Sequence, residues 1–384
     1  MAGGIRIAVV AGEASGDLLG SHLIRALQAR CPSIHFYGIA GPKMMAAGAA
    51  SLVPMEKLSV SGYAEVLRHL PELLRIRRRL RDQLLVDPPD LFIGIDAPDF
   101  NFDLEMALKA KGIPTLHFVS PSIWAWRGER IHKIAKAVSH MLVVFPFEED
   151  IYRKAGIPVT YVGHPLADSL PAEPDRAAAR QQLDVPAVAP VLAMLPGSRV
   201  NELRQHARLF VETAEVLHQS VPEMQFLVPV VSQQTRQLFQ DAWQSVNPQL
   251  PIRIVFGHAH MVMTAADLVL VASGTATLEA ALLKRPMVIT YRVARTTAWL
   301  MRRRAYLPWV GLPNILARRD LVPEILQEAA TPQSLATAVL ALYRDPQRQQ
   351  DMVAEFTRQY DSLRCGTAER IAEAVLPFLG GRCH

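Results

Sequence analysis

The chain has 384 residues, half of them apolar, and a formal charge of +5. That length and apolar content exclude a disordered chain or a disulfide-dependent miniature fold, and they suggest two domains of ordinary size. The mild positive excess suits an acidic ligand or an anionic membrane surface and gives no ground for a nucleic-acid partner.

The first predicted element is the strand in "MAGGIRIAVVAGEASGD". Its apolar run of five residues is too short for a signal-peptide core. The strand enters a glycine turn, residues 12–16, in a place where many α/β proteins hold a phosphate. Glu13 and Asp17, which flank this turn, would repel a diphosphate rather than cradle it. A helix follows, with Leu19, Leu23, Ile24 and Leu27 at helical spacing and Asp17 placed to cap it or to favour its positive end. "IHFYGIA", "LFIGID", "TLHFVS", "MLVVF" and "VTYVG" read as further strands, with helix-like segments between several of them. Strand and helix in alternation predict a parallel sheet covered on both faces. The cysteines are Cys31, Cys365 and Cys383, with no CxxC pair, so neither a disulfide framework nor a zinc site is expected and a reducing cytosol is the natural setting.

Within this first half, "LFIGIDAPDFNF" places Asp96 and Asp99 just after a strand. An aspartate there can act as a general base, with Asn101 available to position a sugar hydroxyl, although Asp-x-Pro-Asp is also an ordinary helix-capping turn. "HFVSPSIWAWRGERIHKI" sets Trp124 and Trp126 beside Arg127 and Arg130, a combination that suits a sugar or a lipid headgroup and equally suits core packing. In "LPELLRIRRRLRDQLL", Leu73, Ile76, Leu80 and Leu84 recur at helical spacing. Arg75, Arg78 and Arg79 fall on the other faces, as on a helix packed on its sheet with a solvated basic side.

A Pro- and Ala-rich stretch, "VGHPLADSLPAEPDRAAARQQLDVPAVAP", separates two domains, 1–170 and 171–384. The uncharged run "VPAVAPVLAMLPG" is broken by prolines and falls short of the roughly 20 residues of a spanning helix, so any membrane contact is peripheral. Beyond it the strand pattern restarts with "VLAMLPGSR", "MQFLVPVV", "IRIVFG", "DLVLVASG" and "PMVITY", and three helix-like segments close the chain. Two such domains would face a cleft with the carboxyl ends of their strands.

In "LPGSRVNEL", Arg199 follows a tight turn at a strand's end, where a guanidinium can meet a leaving diphosphate in bidentate fashion. In "DLVLVASGTATLEAALLKRP" a strand ends at Val271 or Ala272, Ser273-Gly274-Thr275 makes a small-residue turn, and a helix begins near Ala276. The exposed N–H groups of that turn could bind a diphosphate, assisted by the hydroxyls of Ser273, Thr275 and Thr277, while Glu279 could accept hydrogen bonds from a ribose. A plain capped helix accounts for the same residues. The chain has neither a Walker lysine loop nor the GxGxxG fingerprint, which disfavours ATP hydrolysis and nicotinamide chemistry. Finally, "RVARTTAWLMRRRAYLPWVG" surrounds Arg302, Arg303 and Arg304 with Trp299, Leu300, Tyr306 and Trp309. Apolar anchors beside cations make this stretch the expected membrane contact.

Taken in order, "AGEASGD", "GIDAPDFN", "VSPSIWAWR", "PFE", "YVGHPLAD", "LPGSR", "ASGTATLEAAL" and "LPNILA" resemble the lipid-A-disaccharide synthase family of bacterial glycosyltransferases over nearly the whole chain. The resemblance implies an α/β fold of GT-B type, two Rossmann-like domains with a cleft between them and the donor nucleotide on the carboxyl-terminal one. It implies transfer of 2,3-diacylglucosamine from UDP-2,3-diacylglucosamine to 2,3-diacylglucosamine 1-phosphate (lipid X), giving a β-1,6-linked disaccharide and UDP. It also implies no metal or other cofactor, and peripheral association with the cytoplasmic face of the inner membrane; a homo-oligomer is left open.

By matching position, Asp96 becomes the first candidate for the base that deprotonates the acceptor 6-hydroxyl, with Asp99 second. Arg199, Ser273, Gly274, Thr275, Thr277 and Glu279 fall on the donor side, with Asn314 near the same diphosphate. Glu13, Ser15, Asp17, Asn101, Trp124, Trp126 and Arg127 fall on the acceptor side, where carboxylates can accept hydrogen bonds from hydroxyl and amide groups. Ser61 stands where Met is expected and Gly311 where Ser is usual, departures that bear on acyl-chain preference. Two other readings are another UDP-sugar enzyme of this architecture, such as a peptidoglycan N-acetylglucosaminyltransferase or an epimerase, and a non-catalytic lipid- or nucleotide-binding protein.

Overall fold

In the computed structural model the described residues are 4–58, 63–293, 306–380 and 383. They form two compact units, Met1–Asp168 with Ser362–His384, and Ser169–Asp361. Ser61 lies outside the described residues.

The first unit holds seven parallel strands: β1 Arg6–Ala11, β2 His35–Ile39, β3 Ala49–Ser51, β4 Leu91–Ile95, β5 Thr115–Phe118, β6 His140–Val143 and β7 Val159–Tyr161. Their order is β3-β2-β1-β4-β5-β6-β7. β4 is buried along its whole length, which is why it reads in sequence as an unbroken apolar run; β5 is equally buried but carries Thr115 and His117 among its apolar residues. The short edge strand β3 carries no such signal. The order reverses between β1 and β4, and in parallel sheets the loops after two such strands diverge to leave a binding crevice. Here those loops carry the opening glycine turn and Asp96. A Cβ at Gly12 would lie 2.7 Å from Ala97 Cβ, so glycine is what lets the first loop lie against the second.

The second unit repeats the plan with six parallel strands: β8 Val191–Leu195, β9 Gln225–Val230, β10 Ile252–Phe256, β11 Leu268–Ala272, β12 Met287–Tyr291 and β13 Glu324–Leu326. The order β10-β9-β8-β11-β12-β13 is the doubly wound one, with its reversal between β8 and β11. The loops after those two strands are the Arg199 turn and the Ser273-Gly274-Thr275 turn.

The carboxyl-terminal segment departs from the expected division at residue 170. Helices Pro332–Tyr343 and Pro346–Leu363 lie in or reach the end of the second unit, but helix Thr367–Val375 belongs to the first. It packs along helix Ala14–Arg30, joined by an Arg30–Glu369 ion pair, while Asp168 accepts the N–H groups of Gly366 at 3.2 Å and Thr367 at 2.6 Å. This return also brings Cys383 to Cys31, Cα atoms 5.1 Å apart, as a disulfide. The cysteine spacing predicts no disulfide framework, and this bond departs from that expectation; Cys365 forms no disulfide. A pairing across 352 residues has no local signature from which to be read.

Helix Tyr63–Val86 buries Leu80 and Leu84, half-buries Leu73 and Ile76 and exposes Arg75, Arg78 and Arg79, as expected of a helix with one solvated basic side. Among the described residues no helix is long and apolar enough to cross a membrane.

Candidate functional site

At the carboxyl edge of the first sheet, Asp96 and Ala97 both adopt left-handed backbone, with φ of 53° and 45°. Non-glycine residues hold that conformation only where their surroundings impose it. Here Asp96 N–H donates to Phe118 O at 2.9 Å, tying the end of β4 to the end of β5, and Asn101 Nδ2 donates to Asp96 O at 2.8 Å. Asp99, three residues on, is different. Its carboxylate is 81% exposed and accepts a hydrogen bond from Arg130 Nη2 at 2.7 Å.

The glycine loop reaches the same turn: a Cβ at Gly16 would lie 3.7 Å from Asp96 Cβ. Glu13 is half-buried and Ser15 exposed on this loop, so both remain candidates for an acceptor. Asp17 does not. It is 3% exposed, and its two carboxylate oxygens accept the N–H groups of Lys43 and Met44 at 2.9 Å each, capping helix Pro42–Ala46. Asn101 is likewise buried and donates to Val10 O and Asp96 O, so it braces the turn instead of meeting a sugar hydroxyl.

After β5, Trp124 Nε1 donates to Glu148 Oε1 at 3.1 Å, and its ring meets Phe147 edge-on at 5.4 Å. Glu148 also accepts the Phe145 N–H at 3.0 Å. Burial pushes the Glu148 carboxyl up to about 7, against the lowering effect of those hydrogen bonds. Trp126 is half-buried and carries the Arg127 guanidinium over its ring at 4.3 Å, with Arg130 at 6.0 Å. Arg130, which also donates to Asp99, thereby links this indole–guanidinium pair to the loop after β4. His164, also buried, is pushed down to about 4 by desolvation and packs its ring 5.7 Å from Phe145.

In the second unit, Arg199 precedes helix Val200–Ser220, and its side chain is 53% exposed. Glu202 Oε2 accepts the N–H groups of Ser198 and Arg199, while Glu202 Oε1 is 3.6 Å from the Arg199 guanidinium. One turn on, the fully buried His206 accepts the Arg292 N–H at Nε2, 2.9 Å away, and so donates from Nδ1 to Glu202 O at 2.9 Å. The helix that carries Arg199 is thereby fixed to the end of β12. Neither Glu202 nor His206 is singled out by sequence, because each acts through backbone groups.

The Ser273-Gly274-Thr275 turn has Gly274 at φ 139° with nothing among the described residues within 4 Å of a Cβ placed there, and helix Thr275–Leu282 begins with Thr275 exposed. Ser273 Oγ donates to Val310 O at 3.2 Å. Thr277 is fully buried and its hydroxyl donates to Gly274 O at 2.8 Å, which closes the turn. Glu279 Oε2 lies 3.0 Å from His260 Nε2.

Asn314 is engaged within the fold. It is 1% exposed; its Nδ2 donates to Val322 O and Glu324 Oε1, and its Oδ1 accepts the N–H groups of Leu321 and Val322. With every polar atom engaged, it shapes the loop and has nothing left for a diphosphate. Glu324 also accepts the N–H groups of Val310 and Gly311, and burial raises its carboxyl above the usual range. A Cβ at Gly311 would meet the tip of the Ile289 side chain and lie 3.0 Å from Glu324 Oε1.

Of the expected membrane residues, Trp299, Leu300, Arg302, Arg303 and Arg304 lie outside the described residues. Tyr306 is 60% exposed, and Trp309 Nε1 donates to Asp320 Oδ1 at 2.6 Å. Among the described residues there is no group of three or more His, Cys, Asp or Glu that could hold a metal ion.

Residues 7–375 match the family model described as lipid-A-disaccharide synthetase. The chain is 56% identical over 374 residues to the lipid-A-disaccharide synthase of Methylobacillus flagellatus, covering 97% of this chain and 99% of that one. It is 54% identical over 383 residues to that of Chromobacterium violaceum, covering 100% and 99%. Among solved structures, the calicheamicin glycosyltransferase CalG4 superposes with a TM-score of 0.64 at 16% identity, covering all of both chains. The UDP-GlcNAc 2-epimerase of Neisseria meningitidis, bound to UDP-GlcNAc, superposes with a TM-score of 0.63 at 13% identity, covering 98% and 99%. At those identities the likeness concerns the fold.

Proposed function

The chain belongs to the lipid-A-disaccharide synthetase family, and from that premise we propose how its residues divide the family's reaction. The fold is of GT-B type, with two Rossmann-like units. The protein is a glycosyltransferase of lipid A biosynthesis. It transfers 2,3-diacylglucosamine from its UDP derivative to lipid X and releases UDP.

In our reading the first unit takes the acceptor. Asp96 removes the 6-hydroxyl proton as that oxygen attacks the donor's anomeric carbon; the bond to the diphosphate breaks on the opposite face, which inverts an α-linked donor into a β-linked product. Glu13 and Ser15 receive acceptor hydroxyl and amide groups, and Trp124, Trp126 and Arg127 border the sugar. The second unit takes the donor. Arg199, the hydroxyls of Ser273 and Thr275, and the N–H groups of the first helical turn after Gly274 stabilise the charge that UDP gains on leaving, and Glu279 accepts from the ribose. No step requires a metal ion.

The observation that carries this reading is the left-handed Asp96 turn at the reversal point of the first sheet, with Asp99 engaged by Arg130. We further propose peripheral contact with the inner membrane through the stretch around Arg302–Arg304, on the strength of its sequence. Incubating the protein with UDP-2,3-diacylglucosamine and lipid X tests the reaction. A β-1,6-linked disaccharide 1-phosphate appearing in step with UDP supports it. UDP or an epimerised sugar without disaccharide would favour one of the other UDP-sugar activities.

A further inference from the structure

Beneath the Asp96 turn lies a polar cluster for which the reaction just described has no use. Asn101 and Glu105 stand one turn apart on helix Pro98–Lys109, both fully buried. His117 of β5, also fully buried, is the residue paired in register with Gly94 of β4, and its Nδ1 lies 2.7 Å from Glu105 Oε1. Gly94 makes the room. A Cβ there would collide with Glu105 Oε1 and come within 3.0 Å of Asn101 Cβ. Glu105 Oε2, His117 Nε2 and Asn101 Oδ1 have no hydrogen-bond partner among the described residues, so the cluster is not there to satisfy itself.

A buried carboxyl–imidazole pair is an expensive way to pack a helix on a sheet, since apolar side chains of similar volume do it as well or better. The same helix does so elsewhere with Phe102, Leu104 and Leu108. What distinguishes this place is its neighbour. Asp96 and Ala97 are left-handed, and so is Val119, a β-branched residue at φ 78° two positions after His117. Such backbone persists only where it is over-determined.

We infer that Glu105 and His117 are positioning residues for Asp96: the pair fixes the Asn101 face of the helix, Asn101 holds the Asp96 carbonyl, and the turn presents the carboxyl group. This rests on the reading of Asp96 as the base.

The test replaces the pair by an apolar one of similar volume, Glu105→Leu with His117→Phe. Its unfolding midpoint should stay at or above the parent's, because the exchange strands no further buried polar atom. Its kcat should fall about 10- to 100-fold while the donor KM stays within about twofold, and in an Asp96→Asn background it should cause no further loss. Glu105→Gln, which keeps a partner for His117, should rescue turnover to within about threefold of the parent. A folded double variant with parental kcat would overturn the inference. If the double variant does not fold, Glu105→Leu alone decides, with kcat referred to the fraction that binds UDP: a tenfold loss or more supports the role, on the order of what a displaced catalytic group costs, and parental turnover refutes it. Parental turnover in Asp96→Asn itself would instead refute the base reading.

Discussion

Glu202 Oε2 accepts the backbone N–H of Arg199 at 3.1 Å and that of Ser198 at 2.9 Å, so the loop that presents Arg199 is held by its own helix. The guanidinium, 53% exposed, extends from a fixed base. Arg199→Ala should lower kcat about 10²- to 10³-fold, comparable to removing one oxyanion donor. Arg199→Lys should recover part of that, because it restores the charge without the planar fork. Steady-state kinetics with both substrates varied checks this, and a change confined to the acceptor KM would remove Arg199 from the leaving-group role.

Asn314 satisfies four partners inside the fold, so its loss should register first as stability. Asn314→Ala strands the N–H groups of Leu321 and Val322 and should cost the second unit at least about 2 kcal/mol in urea unfolding. Donor KM should rise only through the shared Glu324 loop. Unchanged unfolding with lost donor binding would make Asn314 a ligand contact after all.

Glu148 and His164 both pack against Phe145 and give stability opposite slopes with pH. Glu148, raised from 4.5 to about 7, favours the fold fully below pH 4.5 and loses that contribution as pH rises through 7. His164, lowered from 6.5 to about 4, favours the fold above pH 6.5 and loses its contribution as pH falls through 4. Between pH 4.5 and 6.5 the two oppose each other. Thermal melts should show Glu148→Gln most stabilised relative to the parent above pH 7, and His164→Gln most stabilised below pH 4. Parallel pH profiles for all three proteins would contradict this.

How much of this was legible in the sequence depended on whether a feature is local. Strands such as β4 and β11 read directly, because burial on both faces makes them unbroken apolar runs. The turns after β1, β4, β8 and β11 read as candidate sites because glycine, proline and charged residues interrupt those runs. The partners of Asp17, Asn101, Thr277 and Asn314 are not legible for a common reason: each carries a polar side chain at a promising place, but its partner in the fold lies elsewhere in the chain or in the turn's own backbone. The Cys31–Cys383 bond and the return of the last helix to the first unit depend on contacts between the two ends of the chain. His117 had a faint signal, a histidine inside "TLHFVS", but nothing marked Glu105 as its partner.

Changing Arg302, Arg303 and Arg304 together to Ser should release the protein from anionic vesicles. Each arginine near such a surface contributes roughly 1 kcal/mol, and the binding that remains should weaken further as salt rises. Turnover of a short-chain, water-soluble substrate should survive. Sedimentation with vesicles checks it, and unchanged binding would move the membrane contact elsewhere on the surface.

The most direct test of the account compares kcat and UDP affinity in Asp96→Asn and Asp99→Asn. Asp99 is engaged with Arg130 on an exposed face, so its substitution should cost less than about tenfold, whereas Asp96→Asn should remove about 10²- to 10⁴-fold of turnover with UDP affinity unchanged. Near-parental turnover in Asp96→Asn, or the larger loss in Asp99→Asn, would contradict it.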